Sequence, residues 1–546
     1  MPSTPLHQFL KLEQELANEV YLRQPFNGQW KEWTWKQAGD EARRMAAALQ
    51  ALHLPKGSHI AILSKNCAHW MMADIAIMMA GYVSVPIYAT LSAHAIQPIL
   101  EHSESKAIFV GKLDDYASQI SGIPEGMLRI SFDDYGIKEQ YSWNDLINKH
   151  EPLKDLNNPS QDDLMTIIYT SGTTGVSKGV MHTYGNFDRT LTKALPQLQL
   201  PERSVLFSYL PLSHIAERLA IEMNSFYCGS VISFAESIDT FAANVQEIQP
   251  QVFFAVPRLW GKFREGVLKK MPEKKLNLLL SIPIINNIVR KKIKKALGLS
   301  RATHIYSAAA PISVDLLKWF EKLGITIRQA LGMTEDCVYA HFERPYARKI
   351  GSVGKPLEGM QVKITEDGEL RVKTPSNTIG YYKEPQLTAE LFDEEGYLKT
   401  GDMVEYDHDG FLFVIGRVKD QFKTDKGKYI APTPIETKIL ANSDVENACV
   451  VGTGIPQPMA LIVLSETGKA KSKEEVIESL TATLNAINPT LEVHEKLEKA
   501  VIMKETWSIE NGLLTPTLKV KRNQVEKLHQ PFYPKWFDVN GKVIWE

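Results

Sequence analysis

The stretch YTSGTTGVSKGV, residues 169–180, sets Thr170, Ser171, Thr173, Thr174 and Ser177 around Gly172, Gly175 and Gly179, with one cation, Lys178. It follows the apolar run LMTIIY (164–169), so it is expected to leave the end of a strand. Backbone N–H groups of glycines can converge on phosphate oxygens because no Cβ intervenes. The hydroxyls add donors and the lysine adds a point charge. The spacing does not fit G-x-x-x-x-G-K-[ST], so this is not a Walker loop. Taken alone, the same residues also read as a flexible glycine–serine turn.

Outward from this stretch, short apolar runs alternate with amphipathic ones. HIAILS (59–64), AHWMMADIAIMMAG, YVSVPIY, AHAIQPILEHSES and KAIFVG follow one another, and VLFSYL, SVISFA and QVFFAV repeat the rhythm. That alternation predicts an α/β domain with largely parallel sheets. Near residue 355 the texture changes to strands and turns, with a hairpin expected at Asp367-Gly368 in MQVKITEDGELRVKTP. After the polar segment 416–436, NACVVGTG, MALIVLS and KEEVIESLTATLNAIN alternate again. The expected organisation is a large N-terminal α/β domain with a β-rich subdomain, residues 1–417, and a small α+β domain, residues 418–546.

A net charge of -2 lacks the basic excess that nucleic-acid binding needs, so no nucleic-acid partner is expected. Cys67, Cys228, Cys337 and Cys449 are scattered without a C-x-x-C pair, which argues against a disulfide framework or zinc site. The opening MPSTPLHQFLKLEQEL lacks a basic segment followed by an apolar core, and no apolar run reaches bilayer length. A cytoplasmic location is expected. One segment, LKKMPEKKLNLLLSIPIINNIVRKKIKKALG (268–298), sets basic clusters around an apolar centre broken by Pro283. It reads either as a surface helix drawn to anionic lipid on the inner membrane face or as an insertion with its lysines in water.

Four ordered segments resemble the adenylate-forming superfamily of acyl-CoA synthetases, luciferases and peptide-synthetase adenylation domains. They are the opening loop, LGMTED (331–336), YLKTGDMVEYDHDGFLFVIGRVKDQFKTDKGKYIAP (397–432) and NGLLTPTLKVKR (511–522). VPIYATLSAHAIQPILEHSESKAIFVG (85–111) and LPLSHIAERL (210–219) look like the long-chain fatty acyl-CoA synthetases. The resemblance implies a ligase that joins a fatty acid to CoA through acyl-AMP, with ATP and CoA as co-substrates and Mg²⁺ as cofactor. Fatty acid, ATP and CoA are the implied partners, and a homodimer is one reading of the oligomeric state. An alternative is an adenylating enzyme that passes its acyl group to a carrier protein. The insertion typical of that branch is absent, because GSVG (351–354) follows the Met-Thr-Glu segment closely. A non-catalytic acyl- or nucleotide-binding relative would have no use for the lysine of the last motif.

The resemblance also assigns residues. Thr170, Ser171, Gly172, Thr173, Thr174, Gly175, Lys178 and Thr334 would hold the ATP phosphates, with Thr170 and Glu335 as Mg²⁺ ligands. Ala308, Ala309, Ala310, Leu331 and Gly332 would line the adenine, and Asp402 and Arg417 the ribose. Lys519 would stabilise transition-state charge. Lys419 would be the hinge of a mobile C-terminal domain, and Gly427 would approach the CoA channel. His214 is placed with the catalytic set as a substrate-site residue rather than a general base, and Ser213 beside it is a candidate helix cap. Leu331 departs from the aromatic residue usual before Gly-Met-Thr-Glu, which weakens stacking on the base.

Overall fold

Strands His59–Leu63, Val83–Ile87 and Ala107–Val110 are almost wholly buried, as near-continuous apolar runs require when helices cover both faces of a parallel sheet. The computed structural model describes residues 3–171, 177–515 and 517–546. In its seven-stranded sheet, Leu164–Ser171 pairs in parallel with Val83–Ile87 and then antiparallel with Ser177–Thr183. The opening stretch therefore does leave a strand end, and it returns as a second strand.

The second sheet has nine strands, mostly parallel. Its chain order is not sequential: Val20–Phe26 pairs in parallel with Val231–Phe234, about 200 residues away in sequence. Between the two sheets lies helix Ala68–Ala80, in which every residue is buried. Such a helix must neutralise its one charge internally. Asp74 accepts from Arg218 at 2.6 Å, and Arg218 also reaches Glu222 at 3.2 Å, Thr166 at 2.6 Å and Ser84 at 3.0 Å. This cluster, fully shielded from water, fixes the π-helical turn Arg218–Met223 to the first sheet.

A four-stranded antiparallel sheet follows, built from Gln361–Ile364, Glu369–Lys373, Leu398–Tyr406 and Leu412–Arg417. The expected hairpin turn is present, with Gly368 at φ 83°. Beyond the short turn Val418–Asp420 come a two-stranded ribbon and a four-stranded sheet, Val445–Val451, Met459–Leu464, Lys499–Ile502 and Val543–Trp545, covered by helix Lys473–Ile487. The α/β architecture read from the sequence is the architecture found.

Two local expectations change. Segment 268–298 is not one surface helix but two, Glu273–Ser281 and Ile285–Ala296, because Pro283 interrupts the periodicity. The turn before helix Ile215–Glu217 is capped not by Ser213 but by His214, whose Nδ1 accepts from Ala216 N at 3.2 Å.

Candidate active site

Between the large domain and the C-terminal segment lies a cleft of about 2560 Å³. Thr170, Lys178, His214, Ala308, Ala309, Ala310, Leu331, Gly332, Thr334, Glu335, Asp402, Arg417, Lys419 and Lys519 all line it. Residues up to 349 positions apart in sequence thus meet in one space. Gly172, Thr173, Thr174 and Gly175 lie outside the described residues, as does the side chain of Ser171. Gly427 does not line the cleft; it turns the small ribbon at φ 71°.

Thr170 and Lys178 face each other as register partners at the ends of the two strands that flank the glycine loop. Side chains of directly opposed residues share one sheet face, so both project to the cleft. Thr334 and Glu335 follow strand Arg328–Leu331 and are pinned from two sides. His182 Nε2–H donates to Thr334 O at 2.7 Å, and Thr378 N donates to Glu335 O at 2.7 Å. Burial pushes the His182 imidazole down to about 4, so it is neutral and holds this tautomer.

The Glu335 carboxylate is buried, and burial raises its proton affinity above the ordinary value. Tyr381 opposes that rise by donating its hydroxyl to Oε1 at 2.8 Å. The same ring lies 5.1 Å from Lys178 Nζ, within cation–π range. Tyr381 was not among the residues read from the sequence. Its segment reaches the site through backbone bonds, Met181 N to Gly380 O at 3.0 Å and Tyr382 N to Gly179 O at 2.8 Å. No local pattern in NTIGYY announces that pairing.

Asp336 and Cys337 follow directly in the same turn. Asp336 Oδ1 accepts from Met333 N at 3.0 Å and closes the turn that presents Thr334 and Glu335. Cys337 is fully buried beneath it. Gly332 is tightly packed: a Cβ there would stand 3.0 Å from Val338 Cα, so a side chain would require that backbone to give by a few tenths of an ångström. Ala309 sits at φ 73°, a left-handed conformation that alanine rarely adopts, in the turn beside Leu331.

On the opposite wall, Asp402 and Arg417 are register partners of adjacent strands, and Arg417 Nε donates to Asp402 Oδ1 at 2.8 Å. Burial raises the Asp402 carboxyl, and the guanidinium opposes it. The Arg417 side chain is half exposed and lines the cleft.

Lys519 projects from a tight turn in which Thr515 N donates to Lys519 O at 2.8 Å and Thr515 Oγ1 accepts from Lys519 N at 3.0 Å. The crowding of the cleft walls and the charge of Arg417 push its ammonium down to about 8, with Asp402 opposing. Water still reaches Lys519, which limits the part that burial plays. His214 is pushed down to about 4 by burial and by Lys519, so its imidazole is neutral.

The remaining wall is apolar. Leu191, Ala194, Leu195 and Leu198 recur at helical spacing on Tyr184–Leu198, so one face of that helix lines the cleft, across from Leu219, Val252 and Phe254. The cleft thus joins cationic and hydroxyl side chains at one end to an aliphatic wall at the other.

The AMP-binding enzyme family matches residues 13–382, and the AMP-binding enzyme C-terminal domain matches residues 419–531. The chain belongs to the AMP-binding enzyme family. Among individual proteins, it is 28% identical to a long-chain-fatty-acid–CoA ligase of Xenopus laevis over 97% of this chain and 83% of that relative. It is 29% identical to long-chain-fatty-acid–CoA ligase 5 of Rattus norvegicus, covering 92% and 84% of the two chains. The adenylation domain of a carboxylate reductase from Mycobacterium chelonae shares the fold, with a TM-score of 0.81 at 21% identity over 98% of this chain and 91% of that one.

Proposed function

We propose that the chain is an AMP-forming long-chain fatty acid–CoA ligase. The observation that carries this reading is the joining, in one cleft, of the polar set Thr170, Lys178, Glu335, Asp402, Arg417 and Lys519 to the aliphatic wall of helix Tyr184–Leu198. The names of the relatives support the same substrate class.

In the first step a carboxylate oxygen attacks the α-phosphorus of ATP, and the bond to the β-phosphate bridging oxygen breaks, giving acyl-AMP and pyrophosphate. Two anions must approach, so positive charge has to be in place beforehand. Lys178, at the loop strand, faces the β- and γ-phosphates. Lys519 meets the carboxylate and the α-phosphate from the other domain. Asp402 accepts from the ribose hydroxyls, and Arg417 holds Asp402 ionised while offering its free edge to the same sugar.

Glu335 is a buried carboxylate that lines the cleft, and no group of three His, Cys, Asp or Glu residues stands ready for a metal among the described residues. That donor set suits Mg²⁺, which keeps several waters and takes one or two carboxylates plus phosphate oxygens. Glu335 and the Thr170 hydroxyl would hold it, and bound there it would neutralise phosphate charge.

In the second step the CoA thiolate attacks the acyl carbonyl carbon, and the bond to the AMP oxygen breaks. Lys519 has finished its task by then, and rotation about Lys419 would move it away and bring the Gly427 turn to the cleft. Neutral His214, with Nδ1 occupied by Ala216 N, keeps Nε2–H as a donor beside the acyl group rather than acting as a base.

The test is pyrophosphate release across saturated acids of increasing length, with and without CoA. Release that rises with chain length, and CoA thioester formed when CoA is present, is the expected result. No release with any acid would overturn the ligase reading; release without thioester would point to another acyl acceptor.

A further inference from the structure

The two short helices Glu273–Ser281 and Ile285–Ala296 form a helical hairpin whose inner face is anchored and whose tip is bare. Leu276, Val289 and Ile293 are buried in the core of the second sheet, together with Phe320 and Leu323. In contrast Leu278, Ile282, Ile284, Ile285 and Ile288 are 63%, 37%, 77%, 37% and 50% exposed. Five large aliphatic side chains within eleven residues are thereby left in water at one end of the hairpin. Scattered exposed aliphatics are ordinary, but a contiguous group marks a contact surface.

The tip is not merely a turn. Ile284 sits at φ 71°, a region that a β-branched side chain enters only under strain. A connection that needs positive φ is easiest to make with glycine or asparagine. Here the most exposed isoleucine of the chain but one occupies it.

Charge identifies the occupant. Segment 268–298 holds nine basic residues and one acidic residue in a chain whose net charge is -2. Lys269, Lys270, Lys274, Lys275, Lys291 and Lys292 are exposed, and none has a carboxylate within ion-pair distance among the described residues. Lys275 lies six residues before Ser281, and Lys291 six residues after Ile285, so both stand about 9 Å behind the tip at a helical rise of ~1.5 Å per residue. An interfacial helix buries its apolar part about 5–10 Å below the headgroups. Isoleucines at that depth place these lysines at the level of anionic phosphates. No helix of the described residues is long and apolar enough to cross a membrane, so the contact is with one leaflet.

We propose that the tip of this hairpin docks the protein on an anionic lipid surface, the isoleucines entering the leaflet and the lysines binding its phosphates. Helix Pro257–Lys270, which supplies Arg258, Gly261, Arg264 and Leu268 to the cleft wall, runs directly into the hairpin. On the ligase reading, which this one consequence rests on, docking brings the cleft next to the phase that holds a long-chain acid.

The experiment is co-sedimentation of the full chain with vesicles of phosphatidylcholine alone or with about one-third phosphatidylglycerol, without substrates. Binding to the anionic vesicles only, released as salt is raised, is expected. Ile284→Ser with Ile288→Ser, and separately Lys274→Glu with Lys275→Glu, Lys291→Glu and Lys292→Glu, should each weaken binding at least about tenfold. Unchanged circular dichroism would show that both variants fold. No binding by the unaltered chain, or equal binding by either variant, would overturn the proposal. So would a dimer in light scattering that Ile284→Ser with Ile288→Ser dissociates while vesicles are ignored, since a second copy would then be the occupant. Because no substrate is present, failure here leaves the ligase reading intact, and failure of pyrophosphate release leaves the docking result intact.

Discussion

Tyr381 donates its hydroxyl to Glu335 Oε1 at 2.8 Å while its ring lies 5.1 Å from Lys178 Nζ. One side chain therefore sits between the buried carboxylate assigned to Mg²⁺ and the cation assigned to the phosphates. It lowers the proton affinity of Glu335 against the pull of burial and lies beside Lys178 at the end of its strand.

Tyr381→Phe tests that position. A hydrogen bond to a charged group is worth ~1.5–3 kcal/mol, so its loss should raise the Mg²⁺ concentration needed for half-maximal pyrophosphate release by about tenfold or more. The sign with pH is also set. The bond lowers the proton affinity of Glu335, so removing it moves the acid limb of the rate profile to higher pH. An unchanged Mg²⁺ requirement and acid limb would leave Tyr381 a packing residue.

Lys519 should divide the two half-reactions. Lys519→Ala is expected to abolish formation of acyl-AMP and to leave thioester formation from supplied acyl-AMP largely intact. The ammonium is the active form and its affinity for the proton is lowered to about 8, so kcat/KM for adenylation should fall as pH rises through about 8. Lys519→Arg, charged throughout, should lose that limb even at a reduced rate. Equal loss of both half-reactions in the alanine variant would refute the division.

On the proposed reading, Leu331, which lines the cleft, covers the adenine with an aliphatic face. Restoring an aromatic ring adds stacking worth ~0.5–1.5 kcal/mol, so Leu331→Tyr should lower the KM for ATP about 2- to 10-fold. A KM that does not move would mean the base is gripped elsewhere in the cleft.

Arg218 is the hub of a cluster with no exposure, joined to Asp74 and Glu222. Arg218→Leu strands two carboxylates in the interior and should cost about 3–5 kcal/mol in urea unfolding. Adding Glu222→Gln should recover part of that loss, since one stranded buried carboxyl group, which burial and Asp74 already push toward its protonated form, is removed. Equal stability of all three proteins would mean that water enters the cluster.

Much of this was legible in the chain because it is written locally. The largely apolar runs at 59–63, 83–87 and 107–110 declare a doubly covered parallel sheet, and Asp367-Gly368 declares the hairpin of the antiparallel sheet. Glu335, Asp402 and Lys519 were found through motifs whose residues are neighbours in sequence, and the structure brings them to one cleft. What escaped depends on pairings across long stretches of chain. Nothing in VYLRQPF says that it will lie beside Val231–Phe234, and nothing in NTIGYY says that Tyr381 will be stitched to strand Ser177–Thr183. The hairpin was visible as composition, but only the burial of Leu276, Val289 and Ile293 shows which of its apolar residues are left over.

Arg258, on the cleft-lining helix Pro257–Lys270, is ion-paired with Glu446 of strand Val445–Val451, so one charge of each domain closes on the other. With that contact made, Lys519 faces inward. On the proposed rotation about Lys419, the pair would have to open in every turnover, which would make it a latch whose strength enters the cycle time. A latch between two partly buried charges is screened less than a surface pair, yet still loosens as ionic strength rises. Salt would then weaken the grip on the polyanionic substrates while quickening the swing between the two chemistries, and the enzyme's working optimum would be a compromise between holding and letting go.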